Sequence, residues 1–375
     1  MRSGVCVGHM CKCDAPWHGN SCETISFATT PASGKNVYTI PSPPSNTWNG
    51  PIVGPESDGL YHIYVPLYKA SSLAGAKVIK HGIASHPAGP YAWGELPDIP
   101  SSINPAFLIY PDDTTNPGDG GGEPKMVYSL WTADGVMTAS GPNGTFTPVP
   151  NFQMPDACRP WEPAAGCKAT PQGNPAPIFH KGAFYLATQH TGHIWTTQSI
   201  APGSTWTLFA NISLADVPHG ARPEDPFMWI VSCGQVHAER ALICSGGLPR
   251  SSGQDKRGNW HIINHAYDTS QKTQCGNSTL STHFFSSDGR NWRCGPRNPY
   301  GHVVHFDDGT KHTYTTLERP NIHFDAHGQM DYLSLAADLV TGDEGCAPTP
   351  CTNCKYKDPA GTLVVKLCPV DESCA

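Results

Sequence analysis

One short theme recurs along this chain and narrows what it can fold into. A small motif containing Pro is followed by a strand-like run, then by a Gly-Pro or Asp-Gly turn carrying an aromatic. The first copy holds TWNGPIV (47–53), GLYHIYVPL (59–67) and GPYAW (89–93), and the second INPAFLIY (103–110), PKMVYSLW (124–131) and GPNGTF (141–146). The third holds GNPAPIF (173–179), GAFYLAT (182–188) and HIWTTQS (193–199). The fourth holds EDPFMWI (224–230) and THFFSSDGRNW (282–292), and the fifth HTYTTLERPNIHFD (312–325) and GQMDYLSLA (328–336). The Pro motifs near residues 50, 105, 175 and 226 lie 55, 70 and 51 residues apart. Alternation of period two between turn residues reads as strand, and units of roughly 40–60 residues with four strands each are the signature of a propeller. Five units over residues 45–340 predict an all-β, five-bladed β-propeller. A β-sandwich, the rival architecture, has no need of such repetition.

Composition closes off other routes. Gly (38) and Pro (37) make up a fifth of the 375 residues, and both disfavour helix interiors, which excludes a helical bundle or coiled coil. Ten Trp, 13 Tyr and 12 Phe are spread along the chain and supply a core, which excludes disorder. The 24 Lys and Arg are dispersed under a net charge of −7, so no basic stripe exists for nucleic acid. No apolar run reaches the length of a membrane span.

Fifteen cysteines point to an oxidising, extracellular setting. Sequons at Asn143, Asn211 and Asn277 agree with a secreted glycoprotein. The first twenty residues contain no apolar signal core. With the odd cysteine count, that reads as a chain whose natural N-terminus lies further upstream.

Residues 6–22, CVGHMCKCDAPWHGNSC, space their cysteines as C-x4-C-x-C-x8-C. The spacing resembles the second half of an EGF-like module, here residues 1–24, followed by a linker at 25–44. The resemblance implies a Cys13–Cys22 disulfide, upstream partners for Cys6 and Cys11, and a spacer able to engage extracellular proteins. Four thiolates on zinc are the other reading. Cys158 with Cys167, Cys233 with Cys244 and Cys275 with Cys294 are structural candidates. Residues 341–375 form a Cys-rich extension, where the C-x4-C-x2-C of Cys346, Cys351 and Cys354 suits disulfides or zinc.

The strings NPAP, ARPEDPFMWI, FFSSDGRNW and ERPNIHFDAHGQMDYL, in this order, resemble the five-bladed propellers of glycoside hydrolase family 43 over about residues 45–340. The resemblance implies cleavage of glycosidic bonds by an Asp base, a second Asp and a Glu acid around the central channel. It calls for no cofactor beyond a structural calcium in that channel.

Carried over residue by residue, the acids are incomplete. Trp48-Asn49-Gly50-Pro51 has no carboxylate, and Asn104 and Asn174 stand where Asp is expected. The catalytic candidates are therefore Glu224, Asp225 and Glu318, with histidine as another acid. Trp48 is a candidate stacking platform for a sugar, beside Asn49, Asn104 and Asn174. His237 and His265 fall in or beside inner strands, and Arg222 and Arg319 suit the carboxylate or sulfate of an acidic sugar. Structural roles compete: Asx side chains before Pro bond turn backbone, and Glu318 with Arg319 can lock the closing blade. The expected function is a secreted glycosidase with a polysaccharide or oligosaccharide partner. A non-catalytic glycan-binding or matrix protein on the same fold is the alternative.

Overall fold

The protein is described from a computed structural model, which covers residues 4–7, 10–36, 45–69, 78–93, 99–100, 104–112, 125–157, 170–230 except 172, 190–191, 216 and 218–220, then 233–234, 243–244, 248–249, 258–267, 280–338 except 315 and 327, and 360–368. Five antiparallel sheets form the blades of a propeller. Blade one contains Ser45–Thr47, Ile52–Val53, Tyr61–Lys69, Val78–Ala84, Ala92–Trp93 and Ile99–Pro100. Blade two runs outward through Ala106–Pro111, Met126–Thr132, Gly135–Ala139 and Thr147–Pro148. Blade three consists of Ala176–His180, Ala183–Ala187, His193–Thr197 and Thr207–Asn211. Blade four consists of Arg222–Ile230, Trp260–Tyr267, Leu280–Ser286 and Arg293–Cys294. Blade five consists of Leu317–Phe324, Met330–Asp338 and Ala360–Lys366.

Alternation explains why blades pack as they do. Successive side chains leave a strand on opposite faces, and here both faces are covered. Leu108 joins Phe184 and Leu186 of blade three, while its neighbour Ile109 joins Tyr64 and Ile79 of blade one. An apolar cluster fills each seam in turn: Leu130 with Ile79, Trp131 with Leu186, Ile178 with Ile262, Ile263 with Leu333, and Tyr332 with Ile63. The ring closes through polar contacts as well. Asn49 Nδ2 donates to Arg319 O and, at 2.8 Å, to Ser334 O, and Ser334 Oγ donates to Gly50 O.

Two segments depart from the repeat. Ala360–Lys366 pairs with Met330–Asp338 along seven residues, so the Cys-rich stretch supplies a blade strand. Val303–His305 and Lys311–Thr313 form a separate ribbon rather than a strand of the fifth blade.

At the N-terminus two short ribbons, Gly4–Val7 with Met10–Cys13 and Trp17–His18 with Thr24–Ile25, are held by the Cys13–Cys22 disulfide. Cys11 is also disulfide-bonded. This segment packs into the seam of blades four and five. Trp17 stacks on His283 at 4.5 Å, Ile25 N donates to Pro299 O, and Trp17, Cys22 and Ile25 join the cluster of Trp229 and Leu317. Among the described residues the helical element is one short 3₁₀ turn, Ala32–Asn36, and no helix is long and apolar enough to cross a membrane.

Candidate active site at the channel

Each blade turns a corner as its inner strand enters the channel. Asn49, Asn104, Asn174, Asp225 and Arg319 all have positive φ, between 46° and 70°. Four stand directly before Pro105, Pro175, Pro226 and Pro320; in blade one Gly50 precedes Pro51. In blades four and five the ladder register shifts at the corner, between Glu224 and Phe227 and between Glu318 and Asn321, as a β-bulge requires. A left-handed residue with a Cβ costs about 1–2 kcal/mol, and Asn and Asp tolerate it best. The Asx residues at four corners thus have a backbone reason to be there, whatever else they do. All five corners line an open cavity of about 480 Å³.

Five charged groups meet beside it. His265, on the second strand of blade four, is fully buried, with Nδ1 3.1 Å from Asp225 Oδ2 and Nε2 3.8 Å from both Glu224 Oε2 and Glu318 Oε1. Two oxygens each 3.8 Å from one atom lie no more than twice that, about 7.6 Å, apart. Burial pushes His265 down, but Glu318, Asp225 and Glu224 outweigh it and hold it at about 9, so the imidazole is cationic at neutral pH. Asp225 is the hub. It accepts from Asn174 Nδ2, pairs with His265 and faces Arg319 Nε at 3.5 Å. One carboxylate is thereby held from blades three, four and five. The side chain of Glu224 is 14% exposed, against 5% for Asp225 and 4% for Glu318.

The expected site residues separate accordingly. Glu224, Asp225, Glu318, His265 and Arg319 come together, and Asn49, Asn104 and Asn174 share the cavity wall with Asp225 and Arg319. His265 does not reach solvent, so it acts on the carboxylates rather than touching a sugar. Trp48 is 1% exposed; its ring belongs to the interior, and a sugar cannot stack on it. His237 and the Arg222 side chain lie outside the described residues. Sequence reading passed over Phe107, Phe227, Met228 and Asn321, which also line the cavity. Their signal was position: Phe107 and Phe227 follow the corner proline by two residues and by one.

Asp225, His265 and Glu318 each bring a donor atom within 4.8 Å of the others. A cationic His265 cannot ligate a metal ion, and the two carboxylates alone fall short of the six to eight oxygens calcium takes, so this trio does not fit calcium.

No protein-family model matches the chain, and no curated protein matches it significantly in sequence. Solved structures align with it along most of its length. The catalytic domain of the Coprinopsis cinerea GH62 α-L-arabinofuranosidase aligns over 94% of this chain and 99% of its own, with a TM-score of 0.53 and 8% identity. A GH62 hydrolase in complex with xylotriose covers 91% of this chain and 97% of its own at 9% identity, TM-score 0.48. The endo-arabinase of Bacteroides thetaiotaomicron covers 93% and 99% at 12% identity, TM-score 0.43. The chain is a five-bladed β-propeller of the architecture found in glycoside hydrolases, and at these identities the likeness speaks for the fold alone.

Proposed function

We propose that this protein is a secreted glycoside hydrolase acting on a polysaccharide or oligosaccharide at the propeller channel. The observation that carries the reading is the gathering of three carboxylates, from two blades, around one buried imidazole beside the central cavity. Glycosidic hydrolysis needs two carboxyl groups, one giving a proton to the leaving oxygen and one ionised, and Glu224 and Asp225 both lie against His265. Glu224, the most solvent-accessible of the three, is assigned the proton transfer. Asp225 lines the cavity and is contacted by Asn174 Nδ2, His265 and Arg319, so it is assigned the ionised role facing the cationic sugar of the transition state. Glu318 offsets the charge of His265.

The test is a panel of plant and algal polysaccharides digested with the wild-type protein and with Glu224→Gln. Release of sugar by the wild type, with a drop of about 10²–10⁴-fold in the variant, is the expected outcome. Equal turnover removes Glu224 as the acid. Binding without product from any member of the panel replaces the hydrolase with a glycan-binding protein.

A further inference from the structure

Three carboxyl groups converging on one buried point make the kind of oxygen-rich cage that holds a hard cation. Here the point is filled by the ring of His265, which has no exposed surface. Asp225 Oδ2 lies 3.1 Å from its Nδ1, and Glu224 Oε2 and Glu318 Oε1 each lie 3.8 Å from its Nε2. Both ring nitrogens thus face carboxyl oxygens. A ring nitrogen aimed at a carboxylate carries its proton, because a lone pair there would be repelled. An imidazole with a proton on each nitrogen has no lone pair left for a metal. The value of about 9 at which His265 is held agrees with that protonation.

The ring also bridges as an ion would. Glu224 and Asp225 stand on the first strand of blade four, His265 on the second, and Glu318 on the first strand of blade five. The ladder pairs Glu224 with His265, which sets the histidine opposite the bulge where the acids meet the channel. The other cation of the cluster, Arg319, faces Asp225 with Nε 3.5 Å from Oδ2. Buried carboxylates persist where a countercharge accompanies them, and His265 faces three carboxyl groups at once.

We propose that the ring of His265 stands in for a channel calcium: seated among Glu224, Asp225 and Glu318, it ties blade four to blade five, and the cluster holds together without a metal ion. The inference departs from the calcium that the family resemblance calls for. It stands on the cluster whether or not a glycosidic bond is cleaved there. It has a consequence: with the ring removed, the cage accepts the ion it now excludes. Asp225 and Glu318 have oxygens within 4.8 Å of each other, the reach of two ligands of one calcium at about 2.3–2.6 Å each. Glu224, and water entering from the cavity that Asp225 lines, then complete the set.

The test is thermal unfolding of the wild type, His265→Gln and His265→Ala at neutral pH, each in excess calcium chloride and in excess EGTA. The wild type is expected to melt within about 1 °C of the same temperature in both. His265→Gln fills the space without the charge. It should melt at least about 5 °C below wild type and ignore calcium, the effect of stripping buried carboxylates of their partner. His265→Ala empties the space and should gain at least about 2 °C in calcium over EGTA. Where His265→Ala does not fold in EGTA, recovery of a folded circular dichroism spectrum on adding calcium supports the proposal. An alanine variant that calcium leaves unchanged overturns it. So does a His265→Gln that melts with the wild type. A calcium-dependent gain in the wild type that Glu318→Gln abolishes also overturns it, since a metal then sits in this cluster beside the histidine. Every readout is stability, so a protein that cleaves no glycan loses the hydrolase reading and keeps this one.

Discussion

Glu224 and Asp225 are neighbours in sequence, yet the bulge between them and Phe227 gives them different surroundings. Glu224 retains some solvent contact, whereas Asp225 is enclosed by donors from three blades. Their amide variants should therefore fail differently. Glu224→Gln is expected to lose activity while unfolding at the wild-type urea midpoint. Asp225→Asn takes the negative charge from between His265 and Arg319, and breaking a buried pair in this way costs about 3–5 kcal/mol. Urea unfolding that finds Asp225→Asn within about 1 kcal/mol of wild type would show that Asp225 is not the hub. Of this cluster the sequence displayed the acids but not their meeting. Glu318 and His265 are brought together by adjacent blades, and no local pattern announces a contact between them.

At the scale of the element, the corners are the part of the fold most legible beforehand. An Asx-Pro dipeptide at the start of an alternating run is visible because two backbone demands coincide: a left-handed residue and a fixed φ after it. For the same reason Asn at a corner carries two readings, a replaced acid and a turn residue, and the backbone by itself favours it. Asn49 combines that demand with the hydrogen bonds that close blade one on blade five. Asn49→Ala should cost about 2–4 kcal/mol, from a left-handed alanine and lost hydrogen bonds, and Asn49→Gly should recover about 1 kcal/mol of it. Thermal unfolding that ranks glycine below alanine would show that the corner's conformation is not what matters. The last strand, Ala360–Lys366, was not legible as part of the ring, because it follows a Cys-rich stretch that breaks the repeat. Trp48 misled for a related reason: its place beside the corner was visible, but the face it turns to was not.

For the molecule as a whole, its histidines set opposing pH limits on stability. His265 is held at about 9, and His323 is also raised, because Asp331, 2.6 Å from its Nδ1, outweighs the effect of burial. His81 is pushed down to about 3 by burial and by the proximity of His62, itself lowered by burial. Groups raised above the unfolded value near 6.5 stabilise fully below it and lose that contribution as pH rises through their folded value. Groups lowered below it stabilise fully above 6.5 and lose that contribution as pH falls. Thermal stability should thus peak near pH 6.5, declining on the alkaline side toward 9 through His265 and His323 and on the acid side through His62 and His81. His265→Gln should flatten the alkaline limb alone; an unchanged limb in that variant would exclude His265 as its source.

The stacking of Trp17 on His283 bears on how this chain can be taken apart. The ring invites cutting before its first strand at Ser45, as though the preceding residues were a detachable lead. Yet Trp17, Cys22 and Ile25 fill the same seam as Trp229 and Leu317. A fragment beginning at residue 45 would be a propeller with its mortar removed between two blades. Trp17→Ala in the full chain previews the damage, with an expected loss of about 3–5 kcal/mol by chemical denaturation. Cloned boundaries for this propeller therefore belong outside residue 17, on the far side of a segment that repeat-counting alone would discard.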